Sequence, residues 1–222
     1  MLKKLKGLGE RHEATLLKTL MAVYQLLLSR YSGQDDVAVG SPIAGRNRLE
    51  LESLIGCFVN TLVLRGDLEG DPAFTKLLER VRRMTLDAYS HQDVPYEKLV
   101  DDIQPERDLS RESLFQVFFA MLNMPIDAEL MPDGMTMESF PLDPPVAQFD
   151  LSLFAMEYDG RLELSWQYST DLFDRSTVER FASHFERLLE AVAASPEAPI
   201  SSYQFMSSQE HELLASWNAT EK

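Results

Sequence analysis

The stretch from Leu114 to Leu122 constrains the fold most strongly: of its nine residues only Gln116 is polar. A strand with one wet face alternates apolar and polar residues, whereas a strand covered on both faces reads as a continuous apolar run. This run therefore predicts a strand covered on both faces. Two alternating segments lie downstream: Phe149, Leu151 and Leu153 flank Asp150 and Ser152, and Leu162, Leu164, Trp166 and Tyr168 form a second series. Asp159-Gly160 between them is a hairpin turn signal.

Helical spacing appears elsewhere. Leu16, Leu17, Leu20, Met21, Tyr24, Leu27 and Leu28 mark an amphipathic helix that ends near Ser32-Gly33. Val37 to Gly40 reads as a short buried strand broken by Ser41-Pro42, and Phe58 to Leu64 as the next strand. Asp71-Pro72 suits a helix start, with Asp as cap and Pro in the first turn. Phe74, Leu77, Leu78, Val81 and Ala88 follow on one face, and Tyr96 to Ile103 reads as a further short helix. Asp174 is placed to cap a last long helix through Val192. This order predicts an α/β two-layer sandwich, one mixed sheet with helices on one face.

Composition narrows the partners. The chain has 222 residues, 45% of them hydrophobic, enough for one large domain or two small ones. With 36 acidic and 21 Lys plus Arg residues its formal charge is −15, which disfavours nucleic acid and anionic membrane as partners. Cys57 is the single cysteine, so no internal disulfide forms, and a reducing cytoplasm is expected. Its apolar neighbours suggest a small buried hydrophobe rather than a nucleophile. No signal-type segment and no run near the roughly 20 residues of a membrane span is present.

Chemistry is sparse. The histidines are His12, His91, His184 and His211, none with a second His or Cys at metal-ligand spacing, so no metal site is expected. His91-Gln92-Asp93 reads either as a polar cluster joining a helix end to a turn or as a residue group near a substrate channel. Gly40 to Gly45 lacks the lysine and glycine spacing of phosphate loops. Residues 123–148, rich in Pro and Met, have no clear period and form a long excursion. Met121, Met124, Met131, Met135 and Met137 could serve there as an adaptable surface or as fillers of core gaps.

Four blocks in order carry a resemblance. They are Gly40-Ser41-Pro42-Ile43-Ala44-Gly45-Arg46, Ile55 to Arg65 around Asn60, His91 to Glu97, and Arg107-Asp108-Leu109-Ser110-Arg111. Together they resemble the C-terminal motifs of a nonribosomal peptide synthetase condensation domain, of chloramphenicol acetyltransferase-like fold. The tail from Ser208 to Thr220 is similar to the linker toward an adenylation domain. The resemblance implies a C-terminal lobe over 1–195 and that linker over 196–222.

In such a domain two lobes enclose a tunnel. Phosphopantetheine arms of two peptidyl carrier proteins deliver a donor acyl thioester and an acceptor aminoacyl thioester, and the acceptor amine attacks the donor carbonyl. The family's His-His-x-x-x-Asp-Gly motif occurs nowhere in this chain. The resemblance assigns that motif to the N-terminal lobe, and reads Ser169 to Asp174 as a degenerate copy. This lobe then binds no cofactor directly, contributes no catalytic residue and supplies one wall of the tunnel. Candidate wall residues are Asn60, Ser41, Gln148, Asp150 and Ser152. For Asn60 two roles stand open: donor to a carbonyl or oxyanion, or an amide that satisfies backbone groups at a sheet edge. Ser41 also suits a turn role. The alternative function is a non-catalytic docking module for carrier and adenylation domains. A free-standing trimeric acyltransferase is disfavoured by the missing motif. An isolated lobe would expose the face its partner covers, so self-association through that face is expected.

Overall fold

A computed structural model describes residues 1–46, 48–103, 114–122 and 146–219. The Arg107 block and the excursion from 123 to 145 lie outside the described residues. In chain order the elements are α1 (Leu2–Arg11), α2 (Leu16–Ser32), β1 (Asp36–Ile43), the one-turn α3 (Leu49–Glu52), β2 (Asn60–Asp67), α4 (Phe74–Ser90), α5 (Tyr96–Ile103), β3 (Val117–Leu122), β4 (Leu151–Tyr158), β5 (Arg161–Tyr168), α6 (Arg175–Ala194) and α7 (Ser208–Asn218).

The five strands form one mixed sheet in the order β2-β1-β3-β4-β5. The apolar run becomes β3, the central strand, parallel to β1 and to β4. The outer pairs, β1 with β2 and β4 with β5, are antiparallel. Asp159 and Gly160 both take positive φ, 49° and 68°, as a tight hairpin turn whose twist suits the flanking strands requires. The α/β class read from the sequence is the class observed.

Helices α1, α2, α4 and α6 share a core with one face of the sheet. Val39, Leu64, Phe119, Leu153 and Ala155 meet Leu20, Tyr24, Leu77, Phe185 and Leu188 there, each almost wholly buried. Tyr24 is the hub, with ring centroids 6.0 Å from Phe119, 5.9 Å from Trp166 and 6.3 Å from Phe185. Helix α2 ends where the spacing predicts, and Gly33 closes it at φ 70°. Helix α1 buries Leu5 and Leu8, which stand three apart on one face, while its lysines point away and mask the pattern.

Three local expectations are corrected. Strand β1 does not stop at Ser41-Pro42 but runs on to Ile43 opposite Asn60. Its ladder to β3 registers only Val39 and Gly40, so Pro42 lies on a stretch paired on one side, where a missing N–H is tolerated. Asp71 is not the cap of α4, whose N-cap is Ala73. Its carboxylate instead accepts from the Ser201 N–H (2.8 Å) and hydroxyl (2.7 Å), which hold it below the usual carboxylate range.

Ile55 to Val59 is not strand. Ile55 and Val59 are exposed, and so is Cys57, which the apolar pattern placed inside. The apolar residues there have no sheet to pack on, because β2 begins only at Asn60. A thiol reagent such as dithionitrobenzoate should therefore titrate Cys57 in the folded protein within about tenfold of its rate in the unfolded chain. Stronger protection would contradict this exposure.

Residues 196–203 pack back onto the start of α4 and the main core. Phe74 N–H donates to the Ala198 carbonyl (3.2 Å) and Ile200 N–H to that of Pro72 (2.9 Å). Arg30 donates to the carbonyl of Ser201 (2.7 Å), and Ile200 and Tyr203 are buried in the main core. Among the described residues no helix is long and apolar enough to cross a membrane.

Candidate functional site

Two sequence blocks far apart in the chain meet at Asn60. Its Nδ2 donates to the carbonyls of Gln92 (2.9 Å) and Val94 (2.7 Å). Its Oδ1 accepts from the N–H groups of Thr61 (2.9 Å) and Tyr96 (3.1 Å). A side-chain amide offers two donors and two acceptor positions, and all four are used. No donor is left for a carbonyl or oxyanion. Through these bonds Asn60 ties the start of β2 to the turn between α4 and α5. His91 sits at that turn as the exposed C-cap of α4, its Nδ1 within 2.9 Å of both Ser90 Oγ and the Asp87 carbonyl oxygen.

The Gly45-Arg46 pair organises the neighbouring loop. Gly45 has φ 64°, and a Cβ there would lie 2.0 Å from the Phe58 carbonyl oxygen. Only glycine fits both the left-handed conformation and the close approach. Arg46 stacks over the Phe58 ring at 4.6 Å and donates to the carbonyls of Leu51, Leu54 (2.8 Å) and Gly56 (3.2 Å). One guanidinium thus gathers an otherwise irregular segment.

The sheet face away from the large helices carries an aromatic cluster. Phe118 stacks on Phe149 with centroids 4.6 Å apart and planes 9° apart. Phe115 lies 5.4 Å from Phe149, and Tyr96 of α5 lies 5.6 Å from Phe115. Phe154 and Ala120 complete the patch. Gly40 is opposite Phe118 in the β1–β3 register, and its missing side chain makes room for Phe115.

The remaining sequence candidates separate. Ser152 pairs with Phe118 on one side and Gln167 on the other, so it belongs to this face, though it is 1% exposed. Asp150 is half-buried just before β4, and its backbone binds the Gln116 carbonyl and the Ser169 N–H. Gln148 is exposed beside it. Ser41 has the phase of Val37 and Val39, which point into the helix-covered core, so it is buried away from the aromatic face. Sequence reasoning passed over Gln167, whose amide donates to the Val146 carbonyl (3.0 Å) at the rim of the cluster. The period-2 phase of Glu163 and Ser165 was the signal that could have found it.

The face is an apolar, aromatic-walled surface that also carries the Ser152 hydroxyl and the Gln167 amide. None of the four histidines lies on a strand: they sit at the ends of α1 and α4, on α6 and on α7. Among the described residues no three His, Cys, Asp or Glu side chains converge as metal ligands. Such a surface can hold and orient an acyl chain.

A model of the condensation-domain family matches residues 1–215. The chain belongs to the condensation-domain family. One of the linear gramicidin synthase proteins of Brevibacillus parabrevis is 48% identical over 219 residues, covering 97% of this chain and 3% of that protein. The chain thus spans a small part of the length of the curated relatives it matches. Among solved structures, a four-domain nonribosomal peptide synthetase bound to AMP and glycine superposes with TM-score 0.87 at 24% identity, over 95% of this chain and 17% of that one. The condensation domain of the monacolin K polyketide synthase gives TM-score 0.77 at 19% identity, over 90% of this chain and 46% of that one. The fold is the chloramphenicol acetyltransferase-like fold of condensation domains.

Proposed function

We propose that this chain is the C-terminal lobe of a nonribosomal peptide synthetase condensation domain, forming one wall of a tunnel in which a peptide bond is made. The observation that carries the reading is one of size and content together. The chain superposes on 46% of a solved condensation domain and lacks the His-His-x-x-x-Asp-Gly motif. Half of the fold without the base is what a partner lobe would complete. The acceptor amine of a carrier-bound aminoacyl thioester would attack the donor thioester carbonyl, forming the C–N bond and expelling the donor carrier's thiolate. The proton from the amine would pass to a histidine of the other lobe.

Within that scheme the residues here have supporting roles. The aromatic face with Ser152 and Gln167 offers the apolar lining that an acyl chain needs. Asn60 acts as a positioning residue by holding the α4–α5 turn. Leu49, Leu54, Ile55 and Val59 are large, apolar and exposed within one short segment, as an interface with the other lobe would require. The segment around α7 leads toward an adenylation domain.

The test is reconstitution. The chain alone, and the chain joined to a lobe carrying the histidine motif, are given two carrier proteins loaded with acyl and aminoacyl thioesters. Mass spectrometry of the acceptor carrier should show amide product only for the joined form. Product from the chain alone would sink the assignment of the base to the other lobe.

A further inference from the structure

On the side of the lobe remote from the aromatic face, His184 of α6 is buried (4% exposed) yet hydrogen-bonded at both ring nitrogens. Its Nδ1 lies 2.6 Å from the Tyr31 hydroxyl of α2, and its Nε2 lies 2.9 Å from Oε1 of Glu210 in α7. The other oxygen of Glu210 accepts from the Ser207 N–H (2.6 Å) and hydroxyl (2.7 Å), while Ser207 Oγ accepts from the Glu210 N–H (3.1 Å). One carboxylate therefore closes the capping box of α7 and ties that helix to the lobe. Phe205 packs edge-on against His184 at 4.9 Å, and Arg30 lies over Phe205 at 5.5 Å.

Apolar burial does not hold α7. The helix has no buried residue, and Leu213, Leu214 and Trp217 are 46%, 40% and 64% exposed. An isolated helix of 11 residues is marginal in water, so its order depends on its first turn.

We propose that the Tyr31–His184–Glu210 chain is a latch that fixes α7 on the lobe. Neutral imidazole donates from Nε2 to the carboxylate and accepts the Tyr31 O–H at Nδ1. Protonated imidazole donates from both nitrogens, because a phenol oxygen also accepts. Arg30 from α2, Arg180 from α6 and Glu210 from α7 line the groove beside the ring. Burial alone would raise the Glu210 carboxyl, but the Ser207 N–H, the Ser207 hydroxyl and His184 outweigh it and hold it at about 2. A carboxyl lowered in the folded state stabilises above its ordinary value of 4.5 and loses that contribution as pH falls toward 2. The latch is thus closed across the whole neutral range.

Amide hydrogen exchange on the chain tests it. After correction for intrinsic rates, residues 208–218 of the unaltered protein should be protected relative to the unfolded chain. His184→Phe keeps an aromatic ring and removes both hydrogen bonds, so exchange in α7 should rise about tenfold with β3 and β4 unchanged. His184→Gln keeps a donor toward Glu210 and should restore most of the protection. Unchanged α7 exchange in His184→Phe would overturn the latch. So would loosening of β3 and β4 together with α7.

That the latch orients a following domain rests on the linker reading above. If exchange responds as stated while coupling of adenylation to condensation in an intact synthetase is unaltered by His184→Phe, the latch stands and the linker reading falls.

Discussion

Asn60→Asp should destabilise the protein by about 3 kcal/mol and Asn60→Ala by about 2 kcal/mol, read from urea or thermal unfolding. The alanine removes four hydrogen bonds to backbone groups; three are part-buried and regain water only in part, and the one to Val94 is exposed. The aspartate keeps both acceptor positions but turns the two donors into a carboxylate oxygen that faces the carbonyls of Gln92 and Val94. Lone pairs then oppose lone pairs, and a charge is added beside two carbonyl oxygens. The shape is unchanged, so the order of the two variants isolates hydrogen bonding from packing. The damage should be local first: amides of residues 91–96 should exchange faster before the rest of the sheet does. An Asn60 that served only as a donor to substrate would give the opposite result, with stability within about 0.5 kcal/mol of the unaltered protein, the usual range of a surface change, and product formation lost. In the reconstituted two-lobe domain both variants should also lose activity, but in step with the fraction of α4–α5 turn that is disordered.

Gly40→Ala should cost about 1–3 kcal/mol, by overpacking at a point where nothing can retreat. A Cβ on Gly40 would lie 2.2 Å from Cε2 and 2.5 Å from Cζ of Phe115. Phe115 is 2% exposed and is walled by Tyr96, Phe118 and Phe149, so its ring has no free rotamer to escape into. The alternative, a shift of β1 away from β3, would strain the parallel ladder at Val39 and Gly40. The cause can be separated from β-propensity by a second substitution. Phe115→Leu alone should destabilise through lost aromatic volume. Combined with Gly40→Ala it should cost less than the sum, with a coupling of about 1 kcal/mol or more, because the methyl then fills space that the ring vacated. Additive costs would refute the steric account. Since both residues lie on the aromatic face, the same pair tests whether that face lines the tunnel: the double variant should fold yet alter the preference for donor acyl size.

These two positions also show where sequence reading stops. Asn60 stood out as an amide among apolar residues, and the His91 block stood out as a separate motif, but nothing in their spacing of about thirty residues said they touch. Their contact depends on α4 returning along the sheet from the far end of β2. Ser41 and Ser152 look alike in sequence, each a small polar residue in or beside an apolar strand. Pleat phase relative to the helical layer separates them, and that layer is built from residues on both sides of the strands in the chain. Cys57 departs from its sequence pattern for a related reason: an apolar neighbourhood implies burial only if an element carries it inward, and Ile55 to Val59 belongs to none.

The sequence by itself determined the local matters. Periods of two and of 3.6 residues located most strands and helices, Asp159-Gly160 marked the hairpin, and the ordered blocks pointed to the condensation-domain family. Short-range sterics and side-chain spacing encode such features directly. The tertiary structure alone decided the rest: strand order β2-β1-β3-β4-β5, the commitment of the Asn60 amide, the stitching of residues 198–203 into the core, and the Tyr31–His184–Glu210 chain. Each of these joins groups distant in the chain, and hydrogen bonds specify their partners only by position in space, after the burial of apolar faces has brought those partners together.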